Sequence, residues 1–115
     1  MHEMGIAMQL IEIASAAIPP EMAGVSIGRV NLRIGKLSAV VPDSLRFCFE
    51  MAAKETALDG AELHIEEIPV RARCRACGAE WTITGPAFRC EACASGDIDI
   101  LSGRELDIVS LEVAE

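Results

Sequence analysis

The chain has 115 residues, of which 51% are hydrophobic and 24% charged, and its formal net charge is −8 at pH 7. That length and composition are typical of one folded domain with a small appendage, and they exclude a disordered chain. The acidic balance disfavours a nucleic-acid partner. The absence of both an apolar run of roughly 18 residues and a basic secretory start predicts a cytoplasmic protein.

The first half of the chain predicts two helices and two strands in alternation. Apolar side chains recur with helical spacing after Glu3 and stop before Pro19, and a second helix begins at Pro42. Elsewhere apolar and polar residues alternate as in half-exposed strands, and Gly28 interrupts the first alternation in the manner of a bulge. The predicted ranges are 3–18 and 42–56 for the helices and 25–34 and 62–66 for the strands.

Two reactive side chains in these elements have ordinary structural interpretations. Cys48 lies on the apolar stripe of the second helix, where a free thiol behaves as a small hydrophobic group. His64 shares a strand face with Glu62 and Glu66, which is typical of a solvated polar surface. Neither is predicted to carry a site.

Residues 70–103 differ in composition from the rest of the chain. They contain four of the five cysteines and the only tryptophan, Trp81. Residues 106–113 are again apolar and strand-like, and such a strand needs a sheet to join. We therefore predict an α+β fold, in which a ribbon is inserted into a small three-stranded sheet with two helices. The predicted domains are 1–69 together with 104–115, and 70–103.

The four cysteines of this segment form two C-x2-C pairs separated by twelve residues. Two residues between cysteines let both sulfurs of a pair reach one ion, and two such pairs complete a tetrahedron. Nearby arginines would offset the negative charge of a metal bound by four thiolates; they are Arg71, Arg73, Arg75 and Arg89. The pattern predicts a zinc-ribbon domain whose structural zinc is bound by Cys74, Cys77, Cys90 and Cys93.

Two other interpretations of the cysteines stay open at this point. A rubredoxin-like iron centre uses the same tetrahedron of four sulfurs. A disulfide pair would require an oxidising compartment, which nothing in the sequence supports. With four protein ligands the ion has no open position, so a catalytic metal is not expected.

The N-terminus offers a second set of metal donors. Met1 supplies an amine, His2 supplies a backbone nitrogen and an imidazole, and Glu3 adds a nitrogen or a carboxylate. Nickel(II) and copper(II) favour such a tetragonal arrangement of nitrogen and oxygen donors, whereas zinc prefers a tetrahedron. On these residues alone, an incidental histidine at position 2 is the more common interpretation.

The whole chain resembles the HypA/HybF family of nickel-insertion accessory proteins for [NiFe]-hydrogenases. The resemblance rests on the Met1-His2-Glu3 start, on the stretch from Ile34-Gly35-Lys36-Leu37 through Val41-Pro42 to Phe49, and on the paired cysteines after Val70. It implies a nickel-binding α/β domain and a zinc domain inserted before the last strand. It also implies that His2 is the essential nickel ligand, assisted by the adjacent backbone and Glu3.

The resemblance further implies a nickel metallochaperone, not an enzyme, that delivers Ni(II) to the hydrogenase large-subunit precursor. Its implied partners are that precursor and a HypB-type GTPase, with urease maturation factors and a homodimer as further options. Some relatives carry histidines beside their cysteines, but residues 70–103 here contain none, so exchange of cysteine for histidine ligands is not expected. The alternative functions are a zinc-ribbon adaptor and a rubredoxin-like electron carrier.

Overall fold

The computed structural model describes residues 3–114, which form two α-helices and six β-strands. The helices are α1 (Glu3–Ala16) and α2 (Pro42–Ala52). The strands are β1 (Ile27–Gly35), β2 (Glu62–Ile68), β3 (Val70–Cys74), β4 (Glu80–Ile83), β5 (Ile98–Ser102) and β6 (Leu106–Val113). No helix within residues 3–114 is long and apolar enough to cross a membrane.

The strands form two three-stranded sheets, with the orders β2-β1-β6 and β4-β3-β5. The first sheet joins the last strand to the first two, as the apolar character of residues 106–113 predicted. In the second sheet β3 pairs antiparallel with both neighbours, and Cys74 lies opposite Ile98. The predicted α+β class, with two helices and an inserted ribbon, is confirmed.

The chain divides into two compact units. The first, called here the α/β unit, comprises the described residues up to 33, residues 40–66, and the described residues from 107 onward. The second, called here the ribbon unit, comprises residues 34–39 and 67–106. The ribbon unit therefore contains the whole predicted segment 70–103 and extends beyond it, most notably by the short stretch that follows β1.

The core of the α/β unit is built from the apolar periodicity of its elements. Val30 and Leu32 on β1 are 0% and 1% exposed, and Leu45 and Phe49 on α2 are equally buried. Helix α2 ends at Ala52, short of the predicted residue 56. The reason is local, because Glu55 has a φ of 65°, which no right-handed helix accommodates.

The ribbon unit has a smaller core that includes two of the cysteines. Its buried residues are Val70, Ala72, Cys74, Trp81, Ile83 and Cys90, with Leu37, Ala79, Ile98 and Ile100 packed against them. The stretch 34–39 joins this unit through backbone hydrogen bonds from Gly35 to Glu105 and from Leu37 to Gly103, each 2.7 Å long. Gly35 lies so close to Gly103 that a Cβ on Gly35 would be 2.0 Å from the Gly103 carbonyl.

Candidate metal centre

The sulfur atoms of Cys74, Cys77, Cys90 and Cys93 converge at one end of the ribbon unit, all within 4.8 Å of one another. The Sγ atoms of Cys74 and Cys93 are 3.6 Å apart, and those of Cys77 and Cys90 are 3.5 Å apart. Four sulfurs at about 2.3 Å from a zinc ion would lie about 3.8 Å from one another. The cluster therefore has the size that a tetrahedral metal site requires.

Each C-x2-C pair forms a knuckle with the same backbone pattern. The N–H of Ala76 donates to Cys74 Sγ and the N–H of Ala92 donates to Cys90 Sγ, both at 3.3 Å. Such N–H···S bonds orient the ligand and stabilise a thiolate. The residue after each pair is left-handed, with φ values of 80° at Gly78 and 63° at Ala94. The spacing of two intervening residues is what closes both turns.

Within each knuckle the first cysteine is buried and the second is exposed. Cys74 and Cys90 belong to the ribbon core, whereas Cys77 and Cys93 face solvent. Burial raises the pKa of Cys90, but the N–H groups of Cys93 and Ala92 and the neighbouring thiols outweigh it and lower the pKa to about 7. Backbone N–H groups therefore favour a thiolate at Cys90.

The pKa of Cys93 moves in the opposite direction. The N–H of Ser95 lowers it, but the thiols of Cys74, Cys90 and Cys77, together with burial, raise the pKa to about 12. Four thiols in contact share the negative charge poorly, so a bound cation is needed before all of them ionise. Metal binding at this cluster must therefore release protons.

The arginine in the first knuckle, Arg75, bonds to two carboxylates of the same chain, one just before β5 and one within it. Arg75 Nε donates to Asp99 Oδ1 at 2.8 Å, and Arg75 Nη1 donates to Asp97 Oδ1 at 3.2 Å. The hydrogen bond from Arg75 lowers the pKa of Asp99, and Asp99 in turn raises the pKa of Arg75. Arg71 instead donates to Thr82 at 2.8 Å. Thus Arg71 and Arg75 both bond to partners other than the sulfurs. Their positions beside the cysteines in the sequence did not predict these partners.

The predicted nickel residues Met1 and His2 lie outside the described residues. Glu3, the first residue of α1, accepts a hydrogen bond from the Val41 backbone N–H at 3.3 Å through Oε2. Glu3 also lines a cavity of about 330 Å³ together with Asp43, Ser44, Phe47 and Cys48. The sequence placed Cys48 on the apolar stripe of the second helix, and no local signal placed Cys48 or Asp43 beside Glu3.

His64 is exposed on β2, on the strand face where the sequence placed it. It lines a different cavity, of about 600 Å³, with Arg46, Glu50 and Glu62 among its neighbours. Among residues 3–114, the four-cysteine cluster is the one group of His, Cys, Asp or Glu residues whose atoms could hold a metal ion. His64 therefore stays a surface histidine.

Comparisons with known proteins agree with this arrangement of helices, sheets and cysteines. A family model described as HypA, hydrogenase/urease nickel incorporation, metallochaperone, matches residues 1–113. The hydrogenase maturation factor HypA of Desulfosudis oleivorans is 64% identical over 115 residues, which is 100% of each chain. That of Desulfatibacillum aliphaticivorans is 59% identical and covers 100% of this chain and 88% of its own.

A solved structure gives the same result at lower identity. The solution structure of the Ni metallochaperone HypA from Helicobacter pylori superposes with a TM-score of 0.67 at 28% identity. The match covers 98% of this chain and 97% of that one. The similarity therefore extends over both units.

Proposed function

The chain belongs to the HypA family of nickel-incorporation metallochaperones, and from that premise we propose that it binds Ni(II) at its N-terminus and delivers it to the [NiFe]-hydrogenase large-subunit precursor. This is a family of metallochaperones and maturation factors, not of enzymes. The observation that carries the proposal is the family match over residues 1–113, which includes the donor-rich start Met1-His2-Glu3.

The proposed nickel ligands are the imidazole and backbone nitrogen of His2, with Glu3 and the Met1 amine completing the set. Nitrogen donors of this kind suit a square-planar or tetragonal ion. A site with few protein donors binds an ion less tightly than a buried site with a full set of protein ligands does. Weaker binding suits a delivery protein, because the protein must release the ion to its partner. Glu3 is described at the N-terminus of α1, half-buried, where its carboxylate already has one backbone partner.

The proposed ion in the cysteine cluster is zinc, with a structural role. The donor set is four sulfurs at tetrahedral spacing, the usual ligand set of a closed zinc site. Bound there, zinc would supply folding energy to the ribbon and leave no position for substrate. Elemental analysis tests the identity of the ion, because stoichiometric iron with visible charge-transfer absorption would replace zinc by a rubredoxin-like centre.

The proposal extends to partners and compartment. We expect the chain to act in the cytoplasm with a HypB-type GTPase and the hydrogenase large-subunit precursor. Urease maturation factors and a homodimer stay predictions of the same kind. Co-purification of an affinity-tagged chain with the precursor tests for a complex between the two, and nickel content of the precursor before and after mixing with the nickel-loaded chain tests delivery.

Calorimetric titration of the zinc-loaded protein with Ni(II) tests the nickel site. We expect about one equivalent bound by the wild type and loss of that binding in His2→Ala. His64→Ala is the matched control, because it removes the only other histidine from an exposed position. Equal binding by wild type and His2→Ala would leave a zinc-stabilised adaptor as the better function.

The pH dependence gives an independent readout of the same site. Only the neutral imidazole binds metal, so nickel affinity should fall as the pH drops through about 6.5, the ordinary pKa of histidine. Nickel binding that is independent of pH over that interval would exclude His2 as a ligand.

A further inference from the structure

The two knuckles share a backbone geometry but are held to the ribbon unit by different side chains. The position after the first cysteine is Arg75 in one knuckle and Glu91 in the other. Arg75 reaches two carboxylates, whereas Glu91 is exposed and has no ion pair within residues 3–114. The second knuckle therefore has no equivalent of the ion pairs that join Arg75 to Asp97 and Asp99, called here the Arg75 cluster.

Three kinds of contact hold the first knuckle to β5 and to the residue before it. The Arg75 backbone N–H donates to the Asp97 carbonyl at 2.9 Å, and Cys74 pairs with Ile98 in the sheet. The guanidinium then adds bonds to Asp99 at 2.6 and 2.8 Å and to Asp97 at 3.2 Å. Isolated exposed ion pairs contribute little, but a network with more than one carboxylate on one guanidinium is the exception.

The second knuckle has no ion pair within residues 3–114, and its one side-chain bond to the following segment is from the Asp97 N–H to the Ser95 hydroxyl at 3.1 Å. The Cys90 N–H donates to the Ser95 carbonyl and the Ala94 N–H donates to the Cys90 carbonyl, each at 2.9 Å. Its exposed ligand, Cys93, is followed by Ala94 in a left-handed conformation that favours glycine. A knuckle with a strained turn and no ion pair opens more readily than one with a glycine turn and an ion-pair network.

We propose that Arg75 is a positioning residue that locks the first knuckle to β5, so that the zinc site opens at the second knuckle through Cys93. An external thiolate donor would then take the place of Cys93, forming one bond to zinc as the zinc–sulfur bond of Cys93 breaks. The displaced thiolate takes a proton from solvent, and no electron is transferred. This inference rests on zinc at the cysteine cluster, as proposed above, but not on nickel delivery.

Charge is the rival explanation for any effect of Arg75. A zinc ion with four thiolates carries a net negative charge, and a nearby guanidinium would stabilise it without positioning anything. The two explanations predict opposite signs at Asp99. If Arg75 locks the knuckle, removing the Asp99 carboxylate weakens the lock and speeds the loss of zinc. If charge alone matters, removing it relieves repulsion with the negatively charged zinc site and slows the loss of zinc.

The experiment measures zinc transfer from the full zinc-loaded chain to a chromogenic chelator. Under the lock, Arg75→Ala and Asp99→Asn both speed transfer, by about fivefold, and Arg75→Lys speeds it as well, because lysine keeps the charge but not the bonds to both carboxylates. Arg71→Ala and Asp107→Asn are the matched controls. Each removes a charge of the same sign but leaves the ion pairs of Arg75 with Asp97 and Asp99 in place. Slower transfer from Asp99→Asn, or equal acceleration by Arg71→Ala, overturns the lock.

Alkylation with N-ethylmaleimide, mapped by mass spectrometry, reports which knuckle opens. In the wild type Cys93 should react before Cys77, although both are exposed, and in Arg75→Ala the rate at Cys77 should approach that at Cys93. Cys77 reacting first in the wild type overturns the proposal. The visible spectrum of cobalt-substituted variants checks that each still binds the ion tetrahedrally.

Failure of the lock and failure of the zinc assignment look different in these measurements. A wild-type chain that takes up no zinc overturns both. Wild-type uptake of one equivalent followed by equal transfer rates in all variants overturns the lock alone. The nickel titration with His2→Ala is unaffected by either result.

Discussion

The α/β unit and the ribbon unit are stabilised by different means. In the α/β unit the largest fully buried side chains are Phe49, Leu32, Leu45 and Leu58, which are aromatic or aliphatic. In the ribbon unit two of the six buried core residues, Cys74 and Cys90, belong to the four-cysteine cluster, and Trp81 is the largest side chain among the other four. One chain thus combines a core made by burial with a core completed by an ion.

Magnitudes explain why the two units differ. Burying an aliphatic or aromatic side chain contributes about 1.5–3 kcal/mol, so the α/β unit gathers its stability from many residues. Structural zinc supplies about 10–16 kcal/mol of apparent binding free energy in small peptides. The short strands of the ribbon bury too little to replace that single contribution. Damage should therefore be abrupt in the ribbon and graded in the α/β unit.

Cys90→Ala gives the largest expected effect, because it removes a buried ligand from the ribbon unit. We expect loss of the bound zinc and unfolding of the ribbon, seen as a change in Trp81 fluorescence, while the helical circular dichroism of the α/β unit is retained. Cys48→Ala is the control, since Cys48 lies on α2 and is not one of the four clustered cysteines. Unchanged Trp81 fluorescence in zinc-free Cys90→Ala would show that the ribbon core stands without its ion.

Phe49→Ala tests the other side of the comparison. Phe49 is 1% exposed, so its truncation should lower the free energy of unfolding by about 3–5 kcal/mol in a denaturant titration, with zinc content unchanged. Phe47→Ala is a matched control two positions earlier, because Phe47 is 65% exposed. Similar losses from the two variants would mean that burial does not account for the stability of the α/β unit.

Gly35→Ala tests the tight backbone contact that brings the stretch after β1 into the ribbon unit. The added Cβ would lie 2.0 Å from the Gly103 carbonyl, so the backbone must shift and stability should fall by about 1–3 kcal/mol. Gly5→Ala has open space and a helical backbone, and should be neutral or stabilising. Thermal unfolding of both variants makes the measurement, and equal midpoints would contradict the contact.

Ala94→Gly gives the smallest expected effect and makes the two knuckles alike. A left-handed alanine costs about 1–2 kcal/mol, and the flexibility of glycine in the unfolded chain offsets part of the relief. We expect a net gain of about 0.5 kcal/mol, measured as roughly twofold tighter zinc binding in a chelator competition. Gly78→Ala should shift zinc affinity in the opposite direction, and a shift of the same sign would contradict the strain argument.

Sequence periodicity predicted the helices and strands of the α/β unit well, because local patterns determine these elements. Alternation placed Val30 and Leu32 on one buried face, and the apolar run at residues 106–113 predicted a strand that returns to the first sheet. The end of α2 was not predictable, because the left-handed conformation of Glu55 has no glycine or proline to mark it. The same holds for the stretch 34–39, whose place in the ribbon unit depends on contacts distant in sequence.

The candidate site likewise has a part that the sequence predicted and a part that it did not. Ligand spacing is a local property, so the cysteine cluster could be predicted from the two C-x2-C pairs alone. The partners of Arg75 could not, because Asp97 and Asp99 meet it only after β5 pairs with β3. The donors Met1 and His2 lie outside the described residues, so their role stays a prediction.

The segment between the two knuckles offers a practical consequence. Residues 84–89 are all exposed, belong to no strand or helix, and include no cysteine. The free-energy cost of lengthening such a loop grows only slowly, by about 0.6 kcal/mol for each doubling. An epitope or a fluorescent label inserted there would report on the ribbon in living cells, leaving both chain termini and all four sulfurs in their native context.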